Sequence, residues 1–280
     1  AEDGIRDKLV TGVQTCALPI YQPERQIRGG GHLSLQRHFR LLGRTGQGDR
    51  GAVRFPSRLA ASLLPTGLPL PVIRGPARGG IWLTGAAPGP SKGLSVLWNR
   101  SEPEQLEAAA RLSDNATCCF DIGAHSGLYS LVFSRRAKRV CAFEPLPRNI
   151  AWLMRTLSWN HVSNTTVLPW AVAGETGFRT FQEGAHSSMG RLDSTGDIPV
   201  FATTLREFIT REQLFPEVIK IDVEGAEAEV LRGGLEFLRE RKPALLLSVH
   251  GTVCRNECLE LLKGLGYSRI QPLDMRGSDR

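Results

Sequence analysis

Between Cys118 and Gly127 the chain reads CCFDIGAHSG, and a second stretch, RVCAFEP, follows and ends at Glu144 and Pro145. An apolar run ending in an acid and two glycines, then a helical pattern, then a second apolar run ending in an acid, spells a β-α-β nucleotide-binding unit. No other feature restricts the fold as much. Cys119, Phe120 and Ile122 read as a short strand covered on both faces, as parallel strands usually are. Asp121 then lies at a strand's carboxyl end. Gly123 and Gly127, with Ala124 and His125 between them, let the backbone approach a ligand, and Ser126 reads as the cap of the following helix. Glu144, at the next strand tip beside Pro145, stands where an acid accepts the hydroxyl hydrogens of a ribose.

The glycine spacing narrows the choice of cofactor. A dinucleotide turn reads G-x-G-x-x-G and lays a pyrophosphate on a helix N-terminus, whereas here the spacing is G-x-x-x-G with Asp121 beside it. An acid there repels a pyrophosphate. It suits a cofactor with a cationic amino-acid end, and S-adenosylmethionine has both that end and a ribose.

Farther along, Val218 to Glu227 reads VIKIDVEGAE. Strand alternation places Ile219, Ile221 and Val223 on one face and Lys220, Asp222 and Glu224 on the other. Three charges on one face of a central strand are costly unless they meet a polar cleft or pair internally.

The pieces FDIGAHSGLYSL, VCAFEPLPRNI, WAVAGETG, TTLREFI, IKIDVEGAEAEVLRG and a strand ending SVHG, in that order, resemble the FkbM-type methyltransferases. The resemblance covers residues 95 to 272. It implies an α/β class I methyltransferase fold, Rossmann-like, with a mainly parallel sheet, helices on both faces and an irregular N-terminal extension before it. It further implies S-adenosylmethionine-dependent methylation of a hydroxyl on a sugar, glycolipid or secondary metabolite. His125 stands where asparagine is commoner in the family, and Ser248 where a glutamate is often found.

Alternating elements place Asp121, Glu144, Asp222 and His250 beyond the carboxyl ends of the central strands, where ligands of open α/β sheets bind. An alcohol is a poor nucleophile, so a general base is expected, with His250 preferred and Asp222 and Glu224 positioning the acceptor or the cofactor's amino end. Trp170 and Ala171 are expected along the adenine, or in the core. His186 and Ser187 are candidates for acceptor contact. Asp222 and Glu224 could instead bind a divalent ion, although two acids on a single strand leave a metal site incomplete, so no metal is expected. Trp152 and Trp159, seven apart on one helix, read as core.

Two other readings stay open. One is a nicotinamide-dependent oxidoreductase on a related sheet, which the glycine spacing disfavours. The other is a cofactor-binding module without turnover, since fold alone never settles activity.

The net charge of +7 belongs to one region. Residues 22 to 80 hold ten Arg, no Lys and two acids, Glu24 and Asp49. Glycine and proline punctuate this stretch and no aromatic-basic pattern appears, so nucleic-acid binding is not expected. Residues 1–21 resemble a translated sequencing adapter and are expected to be non-native and to add no fold element. Residues 22–93 are expected to be largely disordered, with 76–93 a linker or loosely packed arm, and 94–276 to form the catalytic domain. Pro65, Pro69 and Pro71 interrupt the apolar patch from Leu59 to Ile73, so no membrane span is expected. Cys118, Cys119, Cys141, Cys254 and Cys258 read as reduced structural thiols, which matches a cytoplasmic location.

The expected elements are a helix over Pro103–Leu112, a strand to Ile122, a helix to about Arg135, a strand over Arg139–Glu144 and a helix from Pro147 to about Asn160. A strand ending at Trp170 or Val172 follows, then short strands at Phe178–Gln182 and Pro199–Thr203. The remainder is expected as helix Leu205–Arg211, strand Val218–Val223, helix Ala226–Arg239, strand Ala244–Val249, helix Cys254–Leu265 and strand Tyr267–Leu273.

Overall fold

The computed structural model describes residues 63–87, 91–182 and 196–273, together with the backbone of 15–21 and 191–192. In chain order the first elements are β1 (Thr15–Tyr21), β2 (Pro69–Pro71), β3 (Ile81–Leu83) and a 3-10 turn at Leu94–Trp98. Next come α1 (Pro103–Leu112), β4 (Cys118–Ile122), α2 (Leu128–Ser134), β5 (Arg139–Phe143), α3 (Pro147–Trp159) and β6 (Thr165–Leu168). β7 (Trp170–Val172), β8 (Gly177–Gln182), β9 (Arg191–Leu192) and β10 (Ile198–Thr203) follow, then α4 (Leu205–Glu212) and β11 (Val218–Ile221). The chain continues through α5 (Glu227–Arg232), α6 (Leu235–Arg241), β12 (Ala244–His250), α7 (Thr252–Gly264) and β13 (Arg269–Ile270).

Seven strands form the central sheet in the order β13-β1-β12-β11-β4-β5-β6. The run from β12 to β6 is parallel throughout. Strand alternation sends two sets of side chains to opposite faces. Cys119, Val140, Val218 and Leu246 join α1 and α2 in one core. Phe120, Ile219, Ile221, Leu245 and Leu247 join residues of α4 to α7 in the other. The expected mainly parallel sheet with helices on both faces is therefore present. Phe120, Phe143 and Phe208 meet edge to face with centroids 4.8 to 5.5 Å apart. Truncating the fully buried Phe120 to Ala would cost about 3–5 kcal/mol through lost transfer energy and a cavity.

Pro169 separates β6, in the central sheet, from β7, which belongs to a second sheet of order β7-β10-β8-β9. The single strand expected to end at Trp170 or Val172 is thus two strands, because proline cannot donate to a ladder. The helix expected over Ala226–Arg239 divides at Gly233 and Gly234. There the backbone presses so closely on β7 that a Cβ on Gly233 would lie 2.4 Å from the Ala173 carbonyl oxygen. Trp159 is 49% exposed, so the core role expected of it fails, while its heptad partner Trp152 packs partly buried against the core.

The N-terminal expectations need correction. Thr15–Tyr21 lies between β12 and β13, antiparallel to both. An open edge of β12 offers unpaired backbone groups, and an extended segment satisfies them whatever its origin. Residues 76–87 do not form a loose arm. Trp82 and Leu83 are fully buried, Arg135 donates to the carbonyls of Ala77 and Arg78, and the Asn160 amide brackets the backbone of Ile81. Glycine and proline here make tight turns that return an apolar strand to the domain. Residues 22–62, and with them most of the basic stretch, lie outside the described part. Among the described residues no helix is long and apolar enough to cross a membrane.

Candidate active site

β4 and β11 are adjacent, and Asp121 is the register partner of Lys220. Both side chains point to the face covered by α2. Asp121 is fully buried and accepts from Ser130 Oγ at 2.6 Å, while Lys220 Nζ lies 3.5 Å from its Oδ1. Lys220 also donates to the Gly123 carbonyl at 2.8 Å, sits 3.5 Å from Asp222 Oδ2 and stacks over the Tyr129 ring at 4.9 Å. Burial would lower the Lys220 pKa, but Asp222 and Asp121 outweigh it and the ammonium is held above its ordinary range.

Above this pair opens a cavity of about 530 Å³, within the range for small-molecule and cofactor sites. Gly123, Ala124, His125, Glu144, Pro145, Trp170, Ala171, Asp222, Glu224 and His250 all line it. Asp121 and Gly127 do not. The Asp121 carboxylate sits below the floor, so it reaches a ligand only through Lys220. Gly127 instead accommodates α3, since a Cβ there would lie 2.6 Å from Leu153 Cδ1. Ser126 does not cap α2, whose cap residue is Gly127; its hydroxyl pairs with His125 Nδ1 at 3.0 Å. His186 and Ser187 lie outside the described residues.

The Glu144 carboxylate is set by local backbone. Its Oε2 accepts from the His125 amide at 2.8 Å, and its Oε1 from the Leu146 amide at 3.0 Å and Asn149 Nδ2 at 3.2 Å. Burial raises its pKa, and those three donors oppose the rise. Gly123 has φ 77° and meets the Asp222 backbone so closely that a Cβ would fall 1.9 Å from its carbonyl oxygen. Only glycine lets the two strand tips meet there and leave the cavity open.

At the tips of β11 and β12 the three proposed catalytic side chains come together. His250 Nε2 lies 3.4 Å from Glu224 Oε2 and 3.7 Å from Asp222 Oδ1. Glu224 holds a left-handed φ of 55°, and its carboxylate lies within 4.8 Å of the Asp222 carboxylate and the His250 ring nitrogen. Glu227, the first residue of α5, was not expected in the site. It is fully buried, pairs with His250 Nδ1 at 2.9 Å and accepts from the Gly225 amide and the Cys254 thiol. Helical position disguised it, because only the fold brings α5 under β12.

The proton balance of the group follows from burial and charge. Burial would lower the His250 pKa, yet the bond to Glu227 and the charges of Asp222 and Glu224 prevail and hold it at about 9. Burial pushes Glu224 up to about 7 against the pull of His250. Glu227 stays below the usual carboxylate range, its desolvation overcome by bonds from His250, Gly225 and Cys254. The raised pKa favours the imidazolium, which bears against the neutral base expected from sequence. Among the described residues, Asp222, Glu224 and His250 form the one His/carboxylate trio whose donor atoms lie within 4.8 Å of one another.

Upstream residues complete the cavity. Trp82, Gly93, Ser95, Ser101, Glu102 and Gln105, all preceding the first motif, also line it. Tyr129 joins them, donating its hydroxyl to Glu102 Oε2 at 2.6 Å.

Among solved structures, an FkbM methyltransferase from Methylobacillus flagellatus shares 20% identity over 55% of this chain and 37% of its own, with a TM-score of 0.39. A precorrin-6y C5,15-methyltransferase from Geobacter metallireducens shares 17% over 57% of this chain and 66% of its own, with a TM-score of 0.37. The chain thus spans little more than a third of the length of the Methylobacillus protein. No curated protein matches the sequence. The methyltransferase FkbM domain model matches residues 121–268, just over half of the chain. That span runs from the Asp121–Lys220 floor through the Asp222, Glu224 and His250 trio, and by it the chain belongs to the FkbM methyltransferase domain family.

Proposed function

We propose that this chain transfers the methyl group of S-adenosylmethionine to a hydroxyl of a small-molecule or glycan acceptor, such as a sugar, glycolipid or secondary metabolite. The observation that carries the reading is the convergence of Glu144, Asp222, Glu224 and His250, from three strand tips, on one cavity. The residues fit the cofactor. Glu144 is fixed by amides and keeps acceptor capacity for ribose hydroxyls, Gly123 leaves a cradle that a side chain would fill, and acids surround the place of a sulfonium. Bound there, the cofactor supplies an electrophilic methyl carbon.

The chain's own residues supply alignment and proton handling. Glu224, ionised above about 7, takes the acceptor's proton. His250 stays charged and pins the carboxylates of Asp222 and Glu224 on either side of its Nε2, while Glu227 fixes the ring by its Nδ1. No metal is required in this scheme.

The test is a labelled methyl-donor reaction with a cell extract, followed by mass spectrometry of the products. A methyl ether on a hydroxylated small molecule is expected. Cofactor binding without transfer to any product would favour a silent module.

A further inference from the structure

The cofactor's sulfur carries three carbon arms, and the cavity lining offers acids from three places in the chain: Glu144, the pair Asp222 and Glu224, and Glu102. On the reading proposed above, the ribose arm would lie at Glu144 and the methyl arm at Asp222, Glu224 and His250. The remaining arm, an amino-acid chain ending in an ammonium and a carboxylate, is then left for the lining residues upstream of the first motif. These include one acid, Glu102, the N-cap of α1. Its φ of 49° is strained for a glutamate, and Tyr129 holds its carboxylate by a 2.6 Å bond. Tyr129 also ties the acid to the floor, because its ring underlies the Lys220 ammonium.

We propose that Glu102, held by Tyr129, receives the ammonium of the cofactor's amino-acid end, so that residues upstream of the family-matching span form part of the cofactor site. The assignment rests on the cofactor proposed above. It gives a use to each acid that lines the cavity: Glu144 for the ribose, Asp222 and Glu224 at the reacting end, Glu102 for the ammonium. Glu102 is exposed at the cavity rim, so its contribution is modest compared with a fully desolvated pair.

The experiment is calorimetric titration with S-adenosylhomocysteine and with 5′-methylthioadenosine, which keeps the nucleoside and the sulfur but lacks the amino-acid arm. Wild-type protein should prefer S-adenosylhomocysteine by about tenfold or more, the yield of one charge-assisted bond. Glu102→Gln keeps an acceptor for Tyr129 and removes the charge. It should bring the preference to about twofold, with affinity for 5′-methylthioadenosine unchanged, and that unchanged affinity reports an intact fold. Tyr129→Phe, which frees the carboxylate to swing away, should lie between the two. Equal binding of both ligands by the wild type, or an unaltered preference in Glu102→Gln, overturns the assignment. If neither ligand binds, the cofactor reading falls and the assignment with it.

Discussion

Two groups of charged side chains stand on neighbouring strand tips and differ chiefly in burial. Asp121 and Lys220 lie under the cleft, with side chains 0% and 5% exposed. Asp222, Glu224 and His250 lie beside it, 25%, 28% and 12% exposed. In the first group Ser130, Gly123 and Tyr129 fix the charges, and only Lys220 also lines the cavity floor, so the pair is chiefly a structural joint between β4 and β11. In the second, each group faces the cavity, and although Glu227 bonds His250 Nδ1 at 2.9 Å, His250 Nε2 meets Asp222 and Glu224 only at 3.7 and 3.4 Å. The same residue types thus serve stability where partners enclose them and chemistry where the cavity leaves them reachable.

The comparison breaks most clearly at Lys220. Lys220→Met leaves Asp121 buried and uncompensated, so denaturant unfolding should show a loss of about 3–5 kcal/mol. An unchanged midpoint would mean the pair is dispensable. His250→Ala should act mainly on turnover, which should fall about 100-fold while cofactor affinity stays within about threefold; the buried Glu227 loses its partner, so stability should fall as well, by about 1–3 kcal/mol. Full activity in this variant would remove His250 from the mechanism.

The pH profile sharpens the contrast. Below about 7 Glu224 is protonated and accepts no proton from the acceptor, so turnover should rise through that value. Above about 9 His250 loses its charge and no longer pins the carboxylates, so turnover should fall. The two limbs belong to a coupled group rather than to single residues. Glu227→Gln removes a charge that raises both His250 and Glu224, so the alkaline limb should move to lower pH and the acid limb should follow by less. A profile flat from 6 to 10, roughly one unit beyond either limb, would contradict the proton scheme. The smallest effect is expected from a chelator, which should leave turnover unchanged. Loss of activity restored by added magnesium would place a metal on Asp222, Glu224 and His250.

Sequence periodicity carried most of the fold. Alternation in VIKIDVEGAE and the paired acid-tipped strands located the parallel sheet, and the order of elements brought Glu144, Asp222 and His250 to one cavity. What it hid was tertiary. Asp121 and Glu144 look alike in sequence as strand-end acids. Only the register with Lys220 and the packing of Ser130 drop Asp121 beneath the floor. Glu227 reads as an ordinary helix-start acid until α5 is placed under β12. Glu102 and Trp82 sit in segments that read only as a helix start and a loose arm, because their value lies in closing a cavity built by residues far along the chain. Pro19 and the surrounding short run gave no strand signal, since a proline argues against an interior ladder position.

The most direct test is S-adenosylhomocysteine binding, measured by calorimetry in wild type, Glu144→Ala and Asp222→Ala, with NAD as the control ligand. One saturable site is predicted, weakened by each substitution though the two residues come from different strands, and no heat with NAD. Binding that neither substitution alters, or binding of NAD alone, would contradict a single cavity built for an adenosyl sulfonium.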